Sequence, residues 1–393
     1  MRILYIKAGR INEKTGGGIE SYKIIYSLNK WIEKNPEDEL KVISEDCINI
    51  DNTKPPKKEE WKDIISRAFF HSSYLYIDYR YKNLKGSIIG NNFDLIILGN
   101  SRLGFIAKDI KKIQPEVYII THYDNVEYDY IDAYFLKEKG IKKYIFKKIE
   151  KISVKRDEYS SVIYSDLNIL LTNRDKTRLK KLYNKKNIES RIIPICLKEN
   201  QKDFKQGYNK GVNLFFIGSL WYKSNAVSIE WFLDNIWEIM KNEYPNITLT
   251  IGGNQPSEKL SLKLKSDKSI RFFPNFDRLE NILFRDSILI SPIQEGAGMK
   301  TKIAEALSIG FPVIASKESL VGYEEASMDT LSNGIIFEAE NVNEYLYSIN
   351  KIMKEDFNVL SNKCKDLFRK YYSIERASSE IERILNKIKK EKE

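Results

Sequence analysis

Short apolar runs alternate with amphipathic helical stretches twice over in this chain, and that alternation limits the fold more than any other feature. In the first half the runs are residues 2–6, 40–43, 94–98, 117–120, 167–171 and 191–195, with helices expected over 19–33, around 59–70 and over 129–164. In the second half the runs are 214–217, 247–251, 270–273, 288–290 and 313–315, with helices expected over 226–240, 257–265, 278–284 and 300–308. The runs are too short for helices and are apolar at consecutive positions, as strands of a parallel sheet buried on both faces must be. Parallel neighbours need a crossover connection, and the helices supply it. The expectation is an α/β chain of two Rossmann-like domains facing a cleft, with ligands at the carboxyl ends of the strands. The boundaries expected are 1–200 and 201–375, with the polar, Lys-rich stretch 200–211 as linker. Residues 355–393 read as helix to the end, and its last part, 376–393, is expected to pack back toward the first domain.

Length agrees, because 393 residues exceed what one hydrophobic core organises. No run approaches the roughly 20 apolar residues of a membrane-crossing helix, and the N-terminus opens directly into a strand, so a cytoplasmic protein is expected. Cys47, Cys196 and Cys364 are widely separated, without a CxxC pair or a His companion, and read as buried small hydrophobes, not as a disulfide framework or a metal site. The net charge of +10 is unevenly held: residues 1–200 carry 38 Lys and Arg against 28 Asp and Glu, residues 201–393 carry 27 against 27. The first half is therefore expected to meet something anionic. Nucleic acid fits the charge, but no recognition motif accompanies it.

One segment concentrates chemistry. Gly296, Ala297, Gly298, Met299, Lys300, Thr301, Lys302 and Glu305 lie between the strand 288–290 and the stop Gly310, Phe311, Pro312. Flexible backbone leading into a helix N-terminus offers unpaired N–H groups and positive potential, which suits a phosphate. An ordinary strand-to-helix turn explains the glycines equally well. Two lysines and a carboxylate in the same segment favour a site. Three glycines, Gly16, Gly17 and Gly18, likewise join the first strand to the first helix, where backbone can approach a phosphate or sugar closely. A polar cluster, His122, Asp124, Asn125 and Glu127, follows the strand 117–120 at its carboxyl end. The other histidine, His71, falls in the aromatic run 69–81, which could line an acceptor groove or an interface.

Four segments together resemble retaining glycosyltransferases of the GT-B fold, in the large group called family 4. Residues 216–225 with Trp231 look like the opening strand, glycine turn and first helix of that family's nucleotide domain. The stretch Ile251, Gly252, Gly253 is similar to its second strand and turn, 296–313 to its donor-binding signature, and 121–127 to an acceptor-domain motif. The resemblance implies transfer of a sugar, with retention, from a nucleotide-diphosphate donor of UDP or GDP type to a glycan or lipid-linked acceptor. Polysaccharide or cell-envelope synthesis at the inner face of the membrane is the implied setting. A catalytically silent GT-B subunit and a nucleotide-sugar 2-epimerase are the alternatives.

By that resemblance, Lys223, Lys302 and His122 are the implied catalytic positions. Gly17, Gly18, Gly218, Ser219, Gly253, Phe273, Glu295, Lys300, Thr301 and Glu305 join the loop 296–299 around the donor, with Glu305 on the ribose hydroxyls. Asp124, Asn125 and Glu127 fall on the acceptor side. The chain has no Asp-x-Asp at the site, so cations and backbone N–H groups are expected to offset the leaving diphosphate without a metal. It departs from the family at Ala297, where a first glutamate usually stands. Either the amides of 296–299 replace that carboxylate or Glu295 reaches in.

Residues 141–156 hold seven cations against one carboxylate, with Ile141, Tyr144, Ile145, Ile149 and Ile152 on one helical stripe. This pattern suits an interfacial helix resting on an anionic bilayer. A helix covering its own domain with a solvated back has the same form.

Overall fold

The computed structural model describes residues 1–7, 11, 16–44, 84–134, 140–199, 204–205, 211–276 and 278–392. The expected helix around 59–70, the aromatic run 69–81 with His71, Cys47 and most of the 200–211 stretch lie outside the described residues. The chain divides into two compact units, Met1–Pro194 with Ile374–Glu393, and Ile195–Ser373.

The first unit contains β1 (Arg2–Ile6), α1 (Gly16–Lys34), β2 (Glu39–Ile43), α2 (Leu84–Ile89), β3 (Leu95–Leu98), α3 (Gly104–Ile113), β4 (Tyr118–His122), α4 (Glu127–Tyr134), α5 (Ile141–Tyr164), β5 (Leu167–Leu170), α6 (Asn173–Leu182) and β6 (Ser190–Ile192). The strands form one sheet in the order β2-β1-β3-β4-β5-β6, every pairing parallel. Leu4, Ile6, Ile96, Leu98 and Ile119 pack against Phe105, Ile106 and Ile110 of α3 in a single buried cluster. Each such side chain contributes ~1.5–3 kcal/mol.

The second unit contains β7 (Asn213–Ile217), α7 (Lys223–Phe232), α8 (Glu238–Glu243), β8 (Thr248–Gly252), α9 (Glu258–Ser266), β9 (Ile270–Phe273), β10 (Ser287–Ser291), α10 (Thr301–Ile309), β11 (Val313–Ala315), α11 (Glu324–Met328), β12 (Ile336–Glu338), α12 (Val342–Ile352) and α13 (Phe357–Tyr371). Its sheet, again wholly parallel, runs β12-β11-β10-β7-β8-β9. The last helix, α14 (Ile374–Lys392), belongs to the first unit. Its buried stripe is Ile374, Ala377, Ile381, Leu385 and Ile388, and it lies along α1 with Lys34 Nζ 2.7 Å from Glu382 and Lys389 Nζ 3.3 Å from Asp38.

Several expected elements change. The single helix over 129–164 is two, α4 and α5, and Gly140 at φ 118° precedes the second, a conformation few other residues adopt. The helix over 278–284 shrinks to one short turn at Leu279–Asn281. The helix over 355–393 breaks after Tyr371, where Ser373 instead pairs with Leu197. The helix over 226–240 is longer, because α7 and α8 join through a wide turn at Leu233–Trp237. Cys196 and Cys364 are buried. No described helix is long and apolar enough to cross a membrane.

Candidate functional site

Each sheet has a point where successive strands are laid down on opposite sides, and ligand sites in open α/β sheets form there. In the second unit that point lies between β7 and β10. Gly218 follows β7 and donates to the Gly252 carbonyl at 2.9 Å, while Gly253 donates to the Phe273 carbonyl at 3.1 Å, stitching three strand ends together. A Cβ on Gly218 would stand 2.9 Å from Asn225 Nδ2 and 3.3 Å from Lys302 Nζ, so backbone and side chains meet here with no room to spare. Asn225 donates to the Ser219 carbonyl at 2.9 Å and turns its Oδ1 to Lys302 Nζ at 3.0 Å.

Lys302, in the first turn of α10, is the electrostatic centre. Its ammonium lies 3.8 Å from the centre of the Phe216 ring, and among the described residues no carboxylate stands within ion-pair distance of it. Enclosure by protein, reinforced by the charge of Lys300, pushes its pKa down to about 7, with Glu305 opposing. The side chain keeps some contact with solvent, as a group in a recess does. Burial likewise raises the Glu305 carboxyl, against the pull of Lys302.

Lys300 has a different task. Its ammonium bonds the carbonyls of Ala297 at 3.2 Å and Gly298 at 3.1 Å and approaches Glu318 at 3.4 Å, which ties the loop in place. The Tyr323 hydroxyl donates to the Lys300 carbonyl at 2.8 Å and accepts from the Ala304 N–H at 3.1 Å. Helix α7, which Lys223 opens, holds the other side: Ser224 Oγ donates to the Glu295 carbonyl, and Ser228 Oγ accepts from Gln294 N at 3.4 Å. Gly298 sits at φ 64° and Met299 is buried, its sulfur accepting from Ile195 N at 3.4 Å. Glu295 is exposed; Gly296, Ala297 and Thr301 are half-buried. α10 has no side-chain cap, so its N-terminal field is undiluted by one. A desolvated cation at an uncapped helix start is equipped for an anion.

In the first unit the reversal lies between β1 and β3. Lys7 follows β1, Gly99 and Asn100 follow β3, and His122 ends β4. Lys7 Nζ bonds Asp124 Oδ2 at 2.8 Å and the Gly99 carbonyl at 2.8 Å. His122 is wholly buried, with Nε2 3.1 Å from Glu20 Oε2, and Glu20 in turn accepts from Lys23 Nζ at 2.5 Å. A Cβ on Gly17 would stand 2.9 Å from Asp124 Oδ2, so the start of α1 and the end of β4 are in near contact. Gly18 is buried beside it and Asn125 is half-buried beside Asp124.

Glu127, expected on the acceptor side, has both oxygens engaged, by Asn100 Nδ2 at 3.1 Å and Arg102 Nε at 2.7 Å. Its N–H binds Glu158 Oε1 at 2.7 Å, and burial pushes that second carboxyl up to about 7. Among the described residues, no cluster of His, Cys, Asp and Glu could hold a metal ion. The structure thus gathers Gly218, Ser219, Lys302 and the 295–301 loop in one unit, and His122, Asp124 and Gly17 in the other. Sequence reading missed Lys7, Glu20, Lys23, Asn225 and Tyr323. Only Glu20, immediately after the glycine run, and Asn225, inside the quoted 216–225 segment, carried any signal.

Residues 211–355 match the family described as Glycosyl transferases group 1. A curated protein of Klebsiella pneumoniae, "Uncharacterized 44.6 kDa protein in cps region", is 25% identical over 158 residues, 38% of this chain and 41% of that protein. The match thus spans about two fifths of that relative. Among solved structures, sucrose-phosphate synthase from Thermosynechococcus elongatus aligns with a TM-score of 0.66 at 12% identity, covering 98% of both chains. Anabaena HepE in complex with UDP-glucose aligns at 0.57 and 12% identity, covering 98% of this chain and 100% of that one. These alignments define the fold as GT-B, two Rossmann-like domains with a C-terminal helix returning to the first. The family match over most of the second unit supports a glycosyltransferase.

Proposed function

We propose that this protein transfers a sugar from a nucleotide-diphosphate donor of UDP or GDP type, with retention, to a glycan or lipid-linked acceptor in polysaccharide or cell-envelope glycan synthesis. The observation that carries the reading is Lys302, a cation without a carboxylate partner among the described residues, held against Phe216 and Asn225 beside the Gly218 turn. Such a group gains most when a diphosphate arrives, because the low-dielectric recess that disfavours its charge strengthens its attraction to an anion. The solved relative with UDP-glucose supports a sugar nucleotide as that anion, and the relative in a cps region supports the polysaccharide setting.

In the reaction, the bond from the sugar's anomeric carbon to the diphosphate oxygen breaks with its electron pair on the diphosphate. Lys302 and the start of α10 offset that charge without a metal, with Lys223, at the start of α7, as a second cation. The acceptor oxygen forms the new bond on the same face, and its proton passes to the departing phosphate oxygen. Glu305 holds the ribose hydroxyls. His122, with Asp124 and Asn125, positions the sugar or the incoming hydroxyl.

A surface observation bears on the acceptor. On α5, Ile141 is 80%, Tyr144 58% and Ile152 66% exposed, whereas Ser153, Val154, Asp157, Glu158 and Ser161 are buried. The apolar stripe therefore faces outward among lysines, which favours an anionic bilayer as its partner, at the cytoplasmic face.

The decisive assay incubates the protein with a panel of nucleotide sugars, with and without lipid acceptors, and follows nucleotide release. Binding of none of them would favour the silent-subunit alternative. For the surface, pelleting with vesicles containing an anionic lipid should fall steeply with salt and on replacing Lys142, Lys143, Lys147 and Lys148, each worth on the order of 1 kcal/mol. Salt-independent pelleting, or none, removes the bilayer.

A further inference from the structure

We propose that Glu20 is a positioning residue that fixes the His122 ring with its proton on Nε2, so that Nδ1 and Asp124 Oδ1 form a pair of acceptors that seats neighbouring hydroxyls of a sugar. The ligand assignment rests on the glycosyl-transfer reading; the state of the ring does not. Glu20 Oε2 faces His122 Nε2 at 3.1 Å and is pinned from the other side by Lys23 Nζ at 2.5 Å, which also bonds the Pro194 carbonyl at 2.9 Å. A carboxylate so held can only accept, so the hydrogen between them belongs to Nε2. That tautomer leaves a lone pair on Nδ1.

Nδ1 lies 3.9 Å from Asp124 Oδ1, and the other oxygen of Asp124 is taken by Lys7 at 2.8 Å. Among the described residues neither His122 Nδ1 nor Asp124 Oδ1 has a hydrogen-bond partner, and Glu20 Oε1 has none either. Leaving a buried polar atom unpaired costs ~1–3 kcal/mol, so adjacent orphans at the carboxyl ends of the strands are a ligand's positions before they are an accident. Two acceptors call for donors. Two lysines, Lys7 and Lys23, already balance two carboxylates, Glu20 and Asp124, so the donors suit a neutral ligand. Adjacent sugar hydroxyls meet both demands.

The ring can be read directly. The chain has two histidines, His71 and His122, and a His122→Gln variant of the ¹⁵N-labelled protein identifies which imidazole signal belongs to His122. Long-range ¹H–¹⁵N correlation of the unliganded wild type is expected to show Nε2 protonated and Nδ1 bare. In Glu20→Gln the side-chain amide can donate to Nε2, so the proton is expected to move to Nδ1 and close onto Asp124. Sugar-nucleotide turnover should then fall about tenfold or more, the worth of one lost hydrogen bond, while affinity for the nucleotide diphosphate alone is unchanged. A proton on wild-type Nδ1, alone or with Nε2, overturns the proposal. So does a Glu20→Gln protein with unchanged ring state and turnover. If Glu20→Gln fails to fold, shown by circular dichroism, the wild-type spectrum still decides the ring state, and turnover by the folded His122→Gln decides the role. A wild type that binds no nucleotide sugar, with Nε2 protonated as expected, would strike the glycosyl-transfer reading and leave the Glu20–His122 assignment standing.

Discussion

Two lysines at strand ends or helix starts, Lys7 buried in the first unit and Lys302 half-buried in the second, are treated in opposite ways. Lys7 stands at the end of β1 with a carboxylate at 2.8 Å and a carbonyl at the same distance. Lys302 stands at the start of α10 with an amide oxygen, a ring face and another lysine nearby, and its charge is correspondingly disfavoured. At its strand ends the first unit matches Asp124 and Glu20 with Lys7 and Lys23 and, among the described residues, leaves hydrogen-bond acceptors unfilled, His122 Nδ1, Asp124 Oδ1 and Glu20 Oε1. At its own strand ends the second leaves Lys302 without a carboxylate partner among the described residues. A site completed by hydroxyls and a site completed by an anion differ in this way before any ligand is present.

The contrast can be broken most sharply by stability. Lys7→Met strands Asp124 inside the unit and should cost ~3–5 kcal/mol in chemical denaturation. Lys302→Met should not. Because the folded protein lowers the pKa of Lys302 from the ordinary lysine value to about 7, charging it in the folded state opposes folding. That penalty is complete below about pH 7 and fades as pH rises toward the unfolded value. Lys302→Met should therefore raise the melting temperature most below pH 7 and not at all near pH 10. A melting temperature lowered equally at both would show that Lys302 is structural.

Affinity should show the reverse ranking. Lys302→Ala is expected to weaken nucleotide-diphosphate binding by ~2–3 kcal/mol in calorimetry, the worth of a charge-assisted hydrogen bond, whereas Lys7→Met, if folded, leaves it unchanged. Glu305→Ala should weaken it less, by ~1 kcal/mol. Unchanged affinity in both Lys302→Ala and Glu305→Ala would place the nucleotide elsewhere.

A smaller, pH-dependent effect follows. Above about pH 7 unliganded Lys302 loses its proton, so binding must restore it. Affinity should decline by up to tenfold per pH unit there, with uptake of a proton visible as a buffer-dependent heat, and Lys302→Ala should abolish both. The smallest effect is steric. Gly218→Ala places a methyl 2.9 Å from Asn225 Nδ2 and should cost nucleotide affinity, whereas Gly17→Ala, 2.9 Å from Asp124 Oδ2, should cost turnover and not nucleotide affinity, each by ~1 kcal/mol. Equal effects of both on nucleotide affinity would erase the division between the units.

Much of this was legible in the chain itself. The twelve described strands that make the two sheets include eleven close to the apolar runs, and the central ones stand out because a strand covered on both faces must be apolar throughout. The twelfth, Ile336–Glu338, is a three-residue edge whose pattern is too short to stand out. Lys302 and Glu305 could be selected because they share a segment with their glycines. The division of labour between Lys300 and Lys302 could not, since it depends on Glu318 and Asn225 from other elements. Glu20 was passed over because its partner lies 102 residues away. The break after Tyr371 was invisible because the residues on both sides favour helix, and a pairing with Leu197 ends it.

The sequence by itself therefore determined the repeated strand–helix alternation, the glycine turns at the strand ends and the candidate cations, all of which follow from local propensity and apolar period. The tertiary structure alone decided which lysine is matched by a carboxylate and which is not, and which nitrogen of His122 is engaged. Those depend on desolvation and on partners brought together across the chain, and neither is written in any neighbourhood of the sequence.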